Sequence, residues 1–252
     1  MAVGTREVGL GVTAITPTST ATTSMGGRLV IHVDAARRSQ RSRSREGIGR
    51  ADALGSATDP GDVAEARIAG ERVVARIDRW ASRLTRHTET SDLSLLNADP
   101  ESAVRVRPIL AAALLAGIVA AHASEGLADI TLLDARLAAE GSDGVARASR
   151  RGEFQVIRDH RGAAIVRRPP GLRFDLGGVG KGWIADRALD LLDEWPSAVV
   201  DADGDLAVRA APGRVWQVGV DDPRAPNTNL AVAPGGAVCP GASWMYRMVG
   251  EF

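Results

Sequence analysis

The chain is nearly without cysteine. Cys239 is the one cysteine in 252 residues, which excludes an internal disulfide and any Cys-based metal cluster and leaves a reducing compartment open to it. It has no excess of charge: 31 Lys and Arg face 31 Asp and Glu, so no global field favours nucleic acid or an anionic membrane, and neither is expected as a partner. It has no long apolar run. ILAAALLAGIVAAHA (109–123) falls short of the ~20 residues a bilayer requires, so no transmembrane segment is expected and the run reads as a buried helix. The N-terminus, MAVGTREVGLGVTAITPTSTATTS, lacks a basic segment followed by an apolar core, and no lipobox-type cysteine follows. The expectation is therefore a cytoplasmic location.

Several catalytic signatures are missing as well. His32, His87, His122 and His160 form no H-x-x-x-H or H-E-x-x-H pair, which excludes a zincin. No G-x-S-x-G elbow exists. What is present is ordinary for a soluble globular protein, with 44% hydrophobic and 25% charged residues and enough chain for a sizeable core.

RLVIHV (28–33) has the β-branched character of a strand. Residues 34–61 are polar and rich in Arg, Ser and Gly, and read as a mobile loop. Its basic run Arg37–Arg45 lacks interleaved aromatics and reads as solvated. From Val63 to Leu84 apolar residues recur at helical spacing. In TRHTETSDLSLLN (85–97), Ser91 or Asp92 is placed to cap a short helix. Pro108 fits the first turn of the helix over 109–123, and Gly126 fits its end. FQVIRD, AAIVRR and LRFDL predict short strands, with turns at His160–Gly162 and Pro169–Gly171. WIADRALDLLDEW (183–195) predicts a helix stopped by Pro196. SAVVDADGDLAVRA and VWQVGVDD predict further strands. This order implies an α+β fold, with mixed or antiparallel sheets and helices, rather than a doubly wound sheet. The expected organisation is an unstructured segment over 1–22 and a single domain over 23–252.

The chemistry concentrates in DLGGVGKGWIADRA (175–188). It is neither a Walker A loop, since Gly182 follows Lys181 and Asp175 stands where the first glycine belongs, nor a Rossmann fingerprint, since Trp183 takes the third glycine's place. Glycines still permit close backbone approach, a helix opening near Gly182 would offer N–H groups to an anion, and Lys181 adds a cation. On composition alone the plainer alternative also holds: a glycine turn packing a strand against a helix, with Lys181 in solvent. In DADGDL (201–206) the alternating carboxylates suggest a calcium loop, but Leu206 and Pro212 stand where Gly and Glu are required, and a turn at Asp203-Gly204 is the better reading. Asp129 in GLADIT reads as a cap or as a site residue.

Taken in order, TSMGGRLVIHV, TSDLSLLN, GLADIT, DLGGVGKGWIADRALDLL, DADGDLAV and VWQVGVDDPR resemble the motifs of the FAD:protein FMN transferases, the ApbE type. The resemblance runs from about residue 23 to about 230 and implies an ApbE-like fold. The activity it implies is transfer of FMN from FAD to a Ser or Thr hydroxyl of an acceptor protein, with Mg²⁺ and with release of AMP. By the same resemblance the flavin nucleotide is contacted by Met25, by His87 where relatives often carry Tyr, by Leu127, Ala128 and Asp129, and by Asp175 and Lys181. Metal ligation maps near Gly178, with Gly180 adjacent, through backbone carbonyls. The segment NLAVAPGGAVCPGASWMYRMVGEF departs from the family pattern: GGAV is similar to the start of its next strand, and the C-terminal part with the remaining metal ligands is expected to be missing. Beside the transferase stand two alternatives: a catalytically impaired FAD-binding remnant of the family and an unrelated α+β binding module.

Overall fold

The structure is a computed structural model that describes residues 13–14, 17–35, 59–142, 145–158, 163–211, 214–221 and 229–235. Most of the loop 34–61, the turn at His160–Gly162, Cys239 and the final segment lie outside the described residues.

Strands β1 (Thr13–Ala14), β2 (Thr18–Ser24) and β3 (Gly27–Val33) open the chain. The Thr-rich TSTATTS is β-branched at most positions and pairs antiparallel with β3 from Thr18–Val33 to Ser24–Gly27. The expected unstructured stretch over 1–22 is thus too long, because residues 18–22 are paired strand. Helix α1 (Pro60–Leu84) follows, its end capped by Asp59, whose side chain accepts from the Gly61 N–H. Next come α2 (Asp92–Ala98), β4 (Ala103–Val106), α3 (Pro108–Ala123) and α4 (Leu133–Ala139). The second half holds β5 (Gln155–Arg158), β6 (Ala164–Arg167), α5 (Gly180–Asp190), β7 (Ala198–Ala202), β8 (Asp205–Arg209), β9 (Arg214–Asp221) and β10 (Asn229–Gly235).

One antiparallel sheet has the order β2-β3-β7-β8 and another the order β4-β6-β5; a third, β1-β9-β10, is mixed, with β1 parallel to β9. The α+β class is the observed one. The first sheet is covered on both faces, which explains why every residue of β7, Asp201 included, is buried. Leu29, Ile31 and Val33 on β3, with Ala198 and Val200 on β7, join the main core under α1 and α5. Val199 turns the other way, to Leu206, Trp216 and Val218. His32 shares that second face, 6.2 Å from the Trp216 ring. The apolar α3 is buried through Leu110, Ala113, Leu114 and Gly117. A Cβ at Gly117 would lie 2.5 Å from Ile130 Cδ1, so glycine is what lets Ile130 seat.

Two predicted elements differ. LRFDL forms no strand and pairs with none among the described residues. The Asn97 side chain occupies both polar groups of Phe174: its Nδ2 donates to the Phe174 carbonyl at 2.8 Å and its Oδ1 accepts from the Phe174 N–H at 2.7 Å. The next N–H, of Asp175, goes to the Ile130 carbonyl at 2.8 Å. The helix predicted over 183–195 begins three residues earlier and ends at Asp190. Beyond that point the chain tightens into turns, because the Arg209 guanidinium takes the Leu189 and Leu192 carbonyls at 3.0 and 2.8 Å.

Candidate functional site

The largest concentration of expected residues borders one cleft of about 770 Å³ between the β2–β3 turn, the end of α1 and the start of α5. That size suits a nucleotide-like ligand. Met25, His87, Asp175, Gly180 and Lys181 all border it.

Met25 enters through the tight turn between β2 and β3. Its φ is +55° and that of Gly26 is +76°, the pair of left-handed residues that a two-residue hairpin turn needs. A methionine in that conformation is strained, and such strain collects at functional sites. Beside it, the Ser24 hydroxyl donates to Asp78 Oδ1 at 2.6 Å across to α1. His87 follows α1 at the cleft edge, its N–H bonded to Thr85 Oγ1.

The position of Asp175 is set by three of the motifs. Ser91 caps α2, accepting from the Ser94 N–H at 3.0 Å and donating to the Thr85 carbonyl at 2.5 Å. Asn97 at the other end of that helix clips Phe174, and Ile130 of GLADIT holds Asp175 itself. The Asp175 carboxylate then accepts from the Gly177 N–H at 2.9 Å, ordering the glycine loop. Gly180 opens α5, and Lys181 reaches Asp203 with Nζ 2.5 Å from Oδ2. Asp203 has φ +60° in the β7–β8 turn and its carboxylate lies where a Cβ of Gly27 would stand. One ion pair thus ties α5 to both hairpins.

Two arginines outside the expected set border the same cleft. Arg86 Nη2 donates to both carboxylate oxygens of Glu140, at 2.8 and 3.0 Å. Arg136, on α4, donates from Nε to Glu140 Oε1 and from Nη1 to Asp175 Oδ2, both at 2.8 Å. The Arg136 bond, aided by Arg86, holds the Glu140 carboxyl below its ordinary range. Arg86 lies in a polar stretch and Arg136 in LDARLAA, and no motif marks either.

Leu127, Ala128 and Asp129 do not border this cleft. Leu127 is 94% exposed and Ala128 packs against the core. Asp129 Oδ1 accepts from the Thr131 N–H and hydroxyl at 2.8 and 2.7 Å, so it holds its own turn, and it borders a separate pocket of about 250 Å³ with His122 and Arg151. Gly178 sits exposed on the loop just outside the cleft.

The described residues bring together no group of three or more His, Cys, Asp or Glu suited to a metal. In DADGDL, Asp201 accepts from the Gly204 N–H at 2.8 Å, closing the turn, and burial pushes its carboxyl up. Burial, with Arg28 adding to it, lowers His32 to about 4. Among the described residues no helix is long and apolar enough to cross a membrane.

Comparison with known proteins places this geometry. The sequence model of the ApbE family matches residues 53–241. No curated protein matches the chain. Among solved structures, the ApbE protein of Thermotoga maritima is similar at 19% identity and TM-score 0.61, covering 87% of this chain and 67% of its own. The flavinyl transferase ApbE of Pseudomonas stutzeri, in apo form, is similar at 16% identity and TM-score 0.61, covering 88% and 66%. The flavin transferase ApbE of Vibrio cholerae is similar at 16% identity and TM-score 0.54, covering 82% and 65%. At these identities the likeness shows the fold. The chain spans about two thirds of the length of these structures.

Proposed function

The chain belongs to the ApbE family, and from that premise we propose that it is a flavin transferase, moving FMN from FAD to a Ser or Thr hydroxyl of an acceptor protein. A new bond forms between the acceptor oxygen and the FMN-side phosphorus. The bond from that phosphorus to the bridging oxygen breaks, and AMP leaves. The hydroxyl proton passes to a base or to water.

The observation that carries this reading is the cleft that gathers Met25, His87, Asp175, Gly180 and Lys181. Its residues fit a dinucleotide. Met25, Leu176 and Ile184 supply apolar wall for a flat ring, and His87 offers a second ring at the edge. Asp175 is held by the Gly177 N–H and Arg136 and presents a fixed acceptor. Lys181 and the start of α5 supply positive potential to the phosphates. Leu127, Ala128 and Asp129 belong to the proposal as contacts from the neighbouring turn.

Mg²⁺ is proposed as the ion that accompanies the diphosphate, with the Gly178 and Gly180 carbonyls as protein ligands. The described residues do not form a protein-only magnesium site. An ion held there would take most of its oxygens from water and the diphosphate, as magnesium commonly does. A second reading, FAD binding without transfer, is favoured by that same lack of a carboxylate cluster among the described residues. Chromatography of nucleotides after mixing the chain with FAD, Mg²⁺ and an acceptor domain separates the two. AMP that appears only when acceptor is present supports transfer. FAD that binds and stays whole selects the second reading.

A further inference from the structure

The cations that border the cleft exceed its carboxylates. Arg86, Arg136 and Lys181 face Asp78 and Asp175 there, while Glu140 and Asp203, which pair with these cations from outside, do not border it. Asp78 is engaged by Ser24 and Asp175 by Gly177 and Arg136, so both have fixed partners. Glu140 is placed differently. It is the C-cap residue of α4, where the helix end is itself negative and a carboxylate is disfavoured. Its side chain is 37% exposed, and what holds it is the two guanidinium groups, which converge on its Oε1. Arg86 reaches both Glu140 oxygens through Nη2 and Arg136 reaches Oε1 through Nε, and two guanidinium groups converging on one anion are equally suited to phosphate oxygens. An exposed ion pair of this kind adds little to stability, so exchange of its anion costs little.

We infer that Arg86 and Arg136 are the receptor for the diphosphate of a nucleotide in this cleft, and that Glu140 is the carboxylate which that diphosphate replaces. The inference rests on the reading of the cleft as a dinucleotide site. It adds two arginines that no motif marks, and an internal competitor that lowers affinity for the ligand. Asp175 keeps Arg136 oriented throughout, since its carboxylate is almost buried and bonded to Arg136 Nη1. Arg86 is 15% exposed in its side chain, so its fork is held in one direction rather than swinging in water.

The test titrates the full chain with FAD, with ADP and with riboflavin, which has no phosphate. Glu140→Gln is expected to bind FAD and ADP several-fold more tightly. Arg86→Gln with Arg136→Gln is expected to weaken both by about tenfold or more, the loss of charge-assisted bonds. Riboflavin binding is expected to stay level across all variants, and with melting temperature it reports folding. Should the double variant not fold, the sign of the Glu140→Gln effect still decides: weaker ADP binding means that Glu140 only braces the arginines, and the inference is overturned. Equal ADP binding by wild type and every folded variant overturns it as well. If FAD and riboflavin bind but ignore the substitutions, the inference fails while the flavin reading stands. If ADP shows the expected pattern and neither flavin binds, the flavin reading fails while the anion receptor stands.

Discussion

At Asp175 one carboxylate answers to several neighbours: the Gly177 N–H at 2.9 Å, Arg136 Nη1 at 2.8 Å and, more distantly, Arg86 Nε at 3.9 Å. Removing it frees the glycine loop and leaves Arg136 with Glu140 alone. Asp175→Ala is therefore expected to weaken FAD binding by about tenfold, the size of a lost charged hydrogen bond, and Lys181→Ala to weaken it in the same direction by removing a cation from the start of α5. Titration of flavin fluorescence checks both; unchanged affinity in the pair would remove these two residues from the site. Asn97 acts at one remove. It touches no part of the cleft, yet its amide supplies both partners of the Phe174 backbone. Asn97→Leu leaves those groups unpaired at a partly buried position, which costs about 1–3 kcal/mol, read as a lower denaturant midpoint. It is expected to loosen FAD binding as well, because Asp175 is the next residue.

Among the elements, α2 shows why a short helix persists. Seven residues are too few to hold by propensity. Ser91 caps one end, Leu93 and Leu96 are buried, and Arg168 bonds the Leu96 and Asp99 carbonyls at the other end, at 2.6 and 2.7 Å. Ser91→Ala is expected to cost about 1 kcal/mol, the usual worth of such a cap, measured by equilibrium unfolding. This cap was legible in TSDLSLLN, as were α1, α3 with Pro108 in its first turn, and the β7–β8 hairpin around Asp203-Gly204, because each is a local pattern of spacing or of turn residues. LRFDL and the end of α5 were not. Their backbone partners, Asn97 and Arg209, lie 77 and 17 residues away in the chain, and local periodicity carries no trace of such bonds. The site divides in the same way. Met25, Asp175 and Lys181 stand in motifs and border the cleft together, whereas Arg86 and Arg136 meet through Glu140, which is 54 residues from Arg86.

Over the whole molecule, pH acts through the face that β3 and β7 turn toward Trp216. His32 is 6% exposed, its Nδ1 lies 2.8 Å from the Ser19 hydroxyl, and its pKa falls from 6.5 to about 4, chiefly by burial. A lowered pKa means that the unfolded chain takes the proton first. The contribution is complete above pH 6.5 and is lost as pH falls to about 4, a decline of at most about 3 kcal/mol. Asp201, whose carboxyl is raised by burial, works in the opposite direction at the acid end. A comparison of wild type with His32→Asn isolates the histidine: the variant is expected to show a flatter stability profile over that window, and an identical slope would assign the acid sensitivity elsewhere. The proposed reaction passes FMN from FAD to a protein hydroxyl. Intact-mass spectrometry of an acceptor domain incubated with the chain, FAD and Mg²⁺ tests it most directly. One FMN adduct on the acceptor is expected, absent when its target Ser or Thr is replaced by Ala. An unmodified acceptor, with a family flavin transferase modifying it in parallel, would exclude transfer and leave the cleft as a binding site alone.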